Sequence, residues 1–131
     1  MAAFIRLINA RLNPPADPTA SFEGKTVLIT GATSGLGFDA AVKFLNLGVS
    51  TLIIGSRSLE RGNQTKAELE KRTNRPGAVQ VRHLDMNTFK SVIEFAERVK
   101  REIPRLDVAL LNAGLTHRAY TVSPEGFEET L

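Results

Sequence analysis

The chain contains no cysteine, and its two histidines, His83 and His117, lie far apart in sequence. Disulfides and thiolate metal sites are therefore excluded, and the histidine spacing suits no metal centre. Aromatic residues are scarce at 6% and do not alternate with basic ones, which speaks against a nucleic-acid surface. No apolar run approaches the roughly 18 residues that a membrane span requires. Carboxylates are missing from one informative place: no Asp or Glu occurs between Asp39 and Glu60.

What is present is ordinary globular material. The 131 residues are 42% hydrophobic and 24% charged, enough for one domain with one core. The net charge is +3, which can signal an anionic partner. Here Lys and Arg are spread along expected helices and answered by Glu within three or four positions. Glu68 with Arg72 and Lys66 with Glu70 are expected i,i+4 pairs, so the basic balance reads as solvated helix faces.

In the first dozen residues, Phe4, Ile5, Ile8 and Leu12 share one helical face, with Arg6 and Arg11 away from it. Arg6 interrupts any signal-peptide core. Pro14, Pro15 and Pro18 then forbid a continuing helix. Residues 1–21 are expected to form an N-terminal segment and linker that packs on the domain or frays. Weak membrane-surface contact by residues 1–12, or organelle targeting, is the alternative to a cytoplasmic protein. The domain is expected over residues 22–131.

Four βα repeats follow. Val27–Ile29 and Thr51–Ile54 are short apolar runs of the kind found in strands buried on both faces of a parallel sheet. Leu36, Ala40, Ala41, Phe44 and Leu45 recur at helical spacing between them, and Gly48 is a stop. Leu59–Arg72 reads as a charged helix, ended by Asn74-Arg75-Pro76-Gly77. Val79–Leu84 is a third strand. Phe89, Val92, Ile93, Ala96 and Val99 form a helical stripe that ends near Pro104. Leu106–Leu111 is a fourth strand, with Asp107 expected at its solvent-facing start. The alternation predicts an α/β fold, a Rossmann-type parallel sheet with helices on both faces, incomplete at about four βα units.

The segment Thr30-Gly31-Ala32-Thr33-Ser34-Gly35-Leu36-Gly37 lies between the first strand and first helix, the context that gives a glycine pattern meaning. Gly31 permits a tight turn, Gly35 lets the backbone approach a pyrophosphate, and Gly37 allows close packing of the helix. The helix start then offers N–H groups and its positive dipole end, including the Leu36 amide. Thr30, Thr33 and Ser34 add hydroxyls. No Gly-Lys-Ser/Thr follows, which disfavours a P-loop nucleotidase.

NAD sites place a carboxylate about 20 residues past the glycine loop, on the ribose 2′-OH. Here that position is Arg57, within Gly55-Ser56-Arg57. A guanidinium pairs with a 2′-phosphate, with the Ser56 hydroxyl and Arg61 as further partners, so NADP(H) is expected over NAD(H). In Leu84-Asp85-Met86, Asp85 either accepts from an adenine amino group or caps a helix starting near Asn87. Asn112, Ala113 and Gly114 end the fourth strand. The small residues let the backbone pass beside a cofactor, and Asn112 can tie strand ends together.

Together these residues resemble the short-chain dehydrogenase/reductase family. Its Thr-Gly-x-x-x-Gly-x-Gly pattern is matched by Thr30 to Gly37, and its Asn-Ala-Gly about eighty residues on by Asn112 to Gly114. Asp85 matches its Asp after the third strand, and Ser123 to Glu128 is similar to the segment leading into its fifth helix. The resemblance implies carbonyl reduction or alcohol oxidation by hydride transfer, on a small carbonyl or alcohol substrate. It also implies a catalytic Tyr-x-x-x-Lys pair, which this sequence lacks: its one tyrosine, Tyr120, is followed four positions on by Pro124. The reading is an N-terminal cofactor-binding half, truncated before the catalytic pair and inactive alone, with no catalytic residue assigned. The alternative is a non-catalytic NADP(H)-binding protein, or one that docks on a partner through its exposed sheet edge.

Overall fold

A computed structural model describes residues 1, 5, 6, 9, 11–13 and 16–130. The expected apolar face of the N-terminal segment rests partly on Phe4 and Ile8, and the linker on Pro14 and Pro15, all outside the described residues. Ile5 and Leu12 are exposed. From Asp17 onward the chain is tied to the domain. Asp17 pairs with Lys43 at 2.8 Å, and Phe22 meets Phe44 edge-on with ring centroids 5.0 Å apart.

Among the described residues the elements alternate as β1 (Thr26–Thr30), α1 (Gly35–Asn46), β2 (Thr51–Ser56), α2 (Leu59–Thr73), β3 (Val79–His83), α3 (Phe89–Glu102) and β4 (Val108–Leu111). All strand pairs are parallel, in the order β3-β2-β1-β4. The chain steps outward from β1 through β2 to β3, then returns to the other side of β1. That reversal leaves a crevice beyond the carboxyl ends of the strands, where open α/β sheets bind ligands. The fold is a partial Rossmann-type α/β sheet.

Side chains alternate across β1 and β2, so each strand serves two layers. Val27, Ile29, Leu52 and Ile54 face α1 and α2, burying Ala41, Leu45 and Leu69. Leu28 and Ile53 face the opposite layer, where Phe95, Val92, Val99 and Ile103 cover them. Each fully buried Leu or Ile contributes roughly 1.5–3 kcal/mol, so the two central strands anchor the domain.

Several local expectations are corrected. The third helix does not bury its whole stripe: Phe89 and Ile93 are more than half exposed, and the side chain buried deepest is Phe95. Leu36 is likewise 82% exposed rather than part of the α1 core face. Asp107 is not solvent-facing. Its side chain is only 7% exposed, with Oδ2 accepting from the Thr26 N–H at 2.9 Å and Oδ1 meeting Arg105 at 2.6 Å. Neither Glu68–Arg72 nor Lys66–Glu70 closes among the described residues. Glu70 instead accepts from the Val79 N–H at 3.1 Å, and the Arg72 guanidinium lies over the Phe38 ring. Strand β2 runs on through Gly55 and Ser56, which pair with Arg82 and His83.

Candidate functional site

The site is built where β1 hands over to α1. Gly31 leaves the strand with φ +70°, a conformation that L side chains avoid, and a β-carbon there would stand 2.8 Å from Ala113 Cα. The turn is fastened to the end of β4. The Asn112 Nδ2 group donates to the carbonyls of Thr30 (3.2 Å) and Gly31 (3.4 Å), and the Ala113 N–H donates to Thr30 Oγ1 (3.0 Å). Asn112 thus joins neighbouring strand ends, and the Thr30 hydroxyl is engaged in the same junction.

The first turn of α1 is left open. Ser34 occupies the N-cap with extended backbone but makes no side-chain capping bond, and the turn holds no acidic residue. By contrast, Ser58 caps α2 by accepting from the Arg61 N–H, and Thr88 caps α3 by accepting from the Ser91 N–H. A helix start has unpaired N–H groups and a positive dipole end, so the uncapped one is receptive to an anion. Gly35 takes φ +55° with nothing within 4 Å of its would-be β-carbon. Backbone there is bare.

This turn borders a cleft of about 430 Å³ whose walls come from the ends of all four strands. Thr30, Gly31, Thr33 and Ser34 form one side. At the end of β2 stand Ser56, Arg57 and, from α2, Arg61. Ser56 is 6% exposed, and its hydroxyl donates to the Ser58 carbonyl at 2.7 Å. Arg57 is exposed and makes no ion pair among the described residues. A cation at the cleft rim, with no carboxylate on that strand end, favours negative charge.

Beyond β3 lie Asp85 and Met86. Asp85 Oδ1 accepts from the Asn87 N–H at 3.0 Å, and the Asp85 N–H donates to Ser91 Oγ at 2.9 Å. The alternative of Asp85 as a helix cap is overturned, because α3 begins at Phe89 behind Thr88. Asn112, Ala113 and Gly114 complete the wall after β4. Gly35, Leu36 and Gly37 are not on the wall itself: Gly35 and Leu36 are exposed and Gly37 is buried.

The sequence reading missed Gly55, Ser58, Leu84, Asn87, Leu115 and Glu129, which also line the cleft. Ser58 carried a signal, as a serine just ahead of the Leu59 helix. Gly55 carried a weaker one, as a glycine inside an apolar strand run; in the structure a β-carbon there would lie 2.8 Å from the Leu84 side chain. Glu129 carried none, being placed by the fold of the C-terminal segment.

The short chain dehydrogenase family model matches residues 25–131. A short-chain dehydrogenase/reductase of Aspergillus flavipes, ffsI, is 49% identical over 123 residues, covering 93% of this chain and 36% of that protein. A short chain dehydrogenase of Shigella flexneri, solved as a complex with NADP, is 30% identical. It superposes with a TM-score of 0.63 over 75% of this chain and 41% of its own. One from Escherichia coli CFT073, complexed with NADPH, gives the same identity and TM-score over 77% and 41%. The chain belongs to the short-chain dehydrogenase/reductase family of oxidoreductases. It spans about a third of the length of the curated relatives it matches. The family uses nicotinamide cofactors and acts on small molecules. No helix among the described residues is long and apolar enough to cross a membrane.

Proposed function

We propose that this chain is the cofactor-binding half of an NADP(H)-preferring short-chain dehydrogenase/reductase, with residues 22–131 as the domain and 1–21 as an N-terminal segment and linker. The observation that carries the reading is the uncapped first turn of α1, opening beside the cleft that Arg57 borders. The N–H groups around Gly35 to Gly37, with Thr33 and Ser34, hold the pyrophosphate. Arg57 and Arg61 take the 2′-phosphate, and Ser56, whose hydroxyl proton goes to the Ser58 carbonyl, shapes that end of the cleft. Asp85 and Met86 flank the adenine, and Asn112 to Gly114 let the backbone pass beside the rest. Bound there, the dinucleotide supplies a hydride at its nicotinamide ring. In a full-length form the acceptor is a small carbonyl compound, or the donor an alcohol, and the protein is cytoplasmic.

Within these 131 residues no Tyr-x-x-x-Lys pair occurs, and Tyr120 is 73% exposed and off the cleft wall. That favours a second reading for the polypeptide by itself, an NADP(H) binder without turnover. Docking on a partner through β4 belongs to the same reading, since Leu111 is 78% exposed there.

Fluorescence titration with NADPH and NADH, on wild type and Arg57→Asp, tests the assignment. A charge-assisted bond to phosphate is worth about 1.5–3 kcal/mol, so the variant is expected to lose roughly tenfold or more in NADPH affinity while NADH affinity holds. Unchanged selectivity refutes the role of Arg57. In the same experiment, NADPH consumption with a panel of ketones is expected to be absent, and its presence overturns the inactive reading.

A further inference from the structure

Residues 121–129 fold back onto the start of α3. Val122 and Glu128 form an antiparallel bridge. The Ser123 N–H donates to the Phe127 carbonyl at 2.7 Å and the Gly126 N–H to the Ser123 carbonyl at 3.0 Å, a tight turn in which Gly126 takes φ +85°. Three contacts fasten this turn. Glu125 Oε2 accepts from the Phe89 N–H at 2.8 Å, pairing a first-turn donor and placing a carboxylate at a helix N-terminus. Phe127 meets Phe89 edge-on, with ring centroids 5.3 Å apart. Glu129 Oε1 accepts from Asn87 Nδ2 at 2.7 Å.

Glu129 makes three of the bonds that hold this arrangement. Its second oxygen meets His117 Nε2 at 3.0 Å, and its N–H donates to the Thr121 carbonyl at 2.9 Å. The side chain is 15% exposed and lines the cleft. Asn87, its partner on the cleft lining, also donates its N–H to Asp85 Oδ1. The chain of bonds Glu129–Asn87–Asp85 therefore joins the segment after β4 to the loop after β3.

We propose that Glu129 is a positioning residue for the nucleotide: by tying Asn87, it locks the Asp85–Met86 wall in the arrangement that receives the nucleobase half. This rests on the dinucleotide reading above. Among the described residues the start of the loop after β3 is otherwise held by the Ser91 bond to the Asp85 N–H and by the Leu84 N–H bond to the Ser56 carbonyl. Ordering such a loop at the moment of binding costs entropy, and a wall fixed beforehand avoids that cost. If the hairpin were instead a lid obstructing the cleft, cutting it loose would strengthen binding. The two roles have opposite signs.

The test titrates the 131-residue chain with NADPH and with 2′,5′-ADP, the phosphorylated adenosine half, in wild type, Glu129→Ala, Glu129→Gln and Asn87→Ala. Amide exchange at residues 85–88 is followed in parallel. Loss of the tie is expected to raise both Kd values about threefold to tenfold in Glu129→Ala and Asn87→Ala. It should also accelerate exchange at residues 85–88. Glu129→Gln keeps the oxygen that accepts from Asn87 and is expected to restore both. Wild type that binds both ligands, with Glu129→Ala binding as well or more tightly, overturns the positioning role alone. Wild type that binds neither refutes the dinucleotide reading, and the positioning role with it. Unchanged exchange at 85–88 shows that Glu129 does not order that wall, and it overturns the proposal whatever the titrations give.

Discussion

A β-carbon on Gly37 would overlap the carbonyl oxygen of Gly31 and stand 2.6 Å from Nδ2 of Asn112. The first turn of α1 therefore rests directly on the turn leaving β1, with the Asn112 side chain wedged against both. Gly35, two residues earlier, has the opposite surroundings, with open space where its side chain would project. Gly37 is required by the packing of the protein itself, while Gly35 is favoured only by its positive φ and leaves its backbone uncovered.

This difference predicts separable effects. Gly37→Ala is expected to destabilise the fold by about 1–3 kcal/mol through overpacking against backbone that cannot move aside. Gly35→Ala pays only backbone strain, about 1–2 kcal/mol, yet is expected to weaken NADPH binding roughly tenfold or more by placing a methyl where the pyrophosphate approaches. Urea unfolding and NADPH titration on both variants check this. A Gly35→Ala variant that binds normally contradicts it.

Gly62, inside α2, is a further close approach. A β-carbon there would lie 2.5 Å from Val81 Cγ1 and 3.1 Å from Ser56 Cβ. Alanine gains about 0.5–1 kcal/mol of helix propensity over glycine, but overpacking costs about 1–3 kcal/mol, so crowding wins. Gly62→Ala is expected to lower the thermal midpoint, and a raised midpoint in a melting curve refutes the packing argument.

Asp107 makes stability depend on pH. The Thr26 N–H bonded to it holds its carboxyl below the ordinary range; burial opposes this and the nearby Arg105 charge adds to it. Because the folded value lies below the unfolded one, about 3.9, the carboxylate's contribution is fully present above that pH. It is lost as pH falls through the folded value. The stability gap between wild type and Asp107→Asn is therefore expected to narrow on acidification from about pH 6 to about pH 2. A gap that is constant across this range, measured by urea denaturation, contradicts the assignment.

The sheet was legible because local signals agree: Val27–Ile29 and Thr51–Ile54 are continuous apolar runs, and the Gly31–Gly37 spacing falls between strand and helix. Side-chain partnerships distant in sequence were not legible. Asp107 looked like a polar strand start because its partner, the Thr26 N–H, lies 81 residues away. Glu70 and Arg72 sat at spacings that suit helix pairs, but Val79 and Phe38 offered them other partners once the layers packed. The third helix shows the same limit. Its periodicity named a stripe, of which Val92 and Val99 do pack on the sheet, while the most buried side chain, Phe95, lies outside it. In the cleft, Thr30, Gly31, Thr33 and Ser34 of the glycine loop and the strand-end residues were readable from the motif, whereas Gly35, Leu36 and Gly37 lie off its wall. Asn87 and Glu129 were not readable, since a hairpin of residues 121–129 brings them together.

The central claim is that the exposed start of α1 receives a dinucleotide. An amide correlation spectrum of the 131-residue chain, recorded with and without NADPH, tests it most directly. The largest shifts are expected at Gly35, Leu36 and Gly37, with further changes at Arg57 and Asp85. Shifts confined to another surface, such as the groove between Phe22, Phe44 and Leu47, or no shifts at millimolar NADPH, would contradict the account.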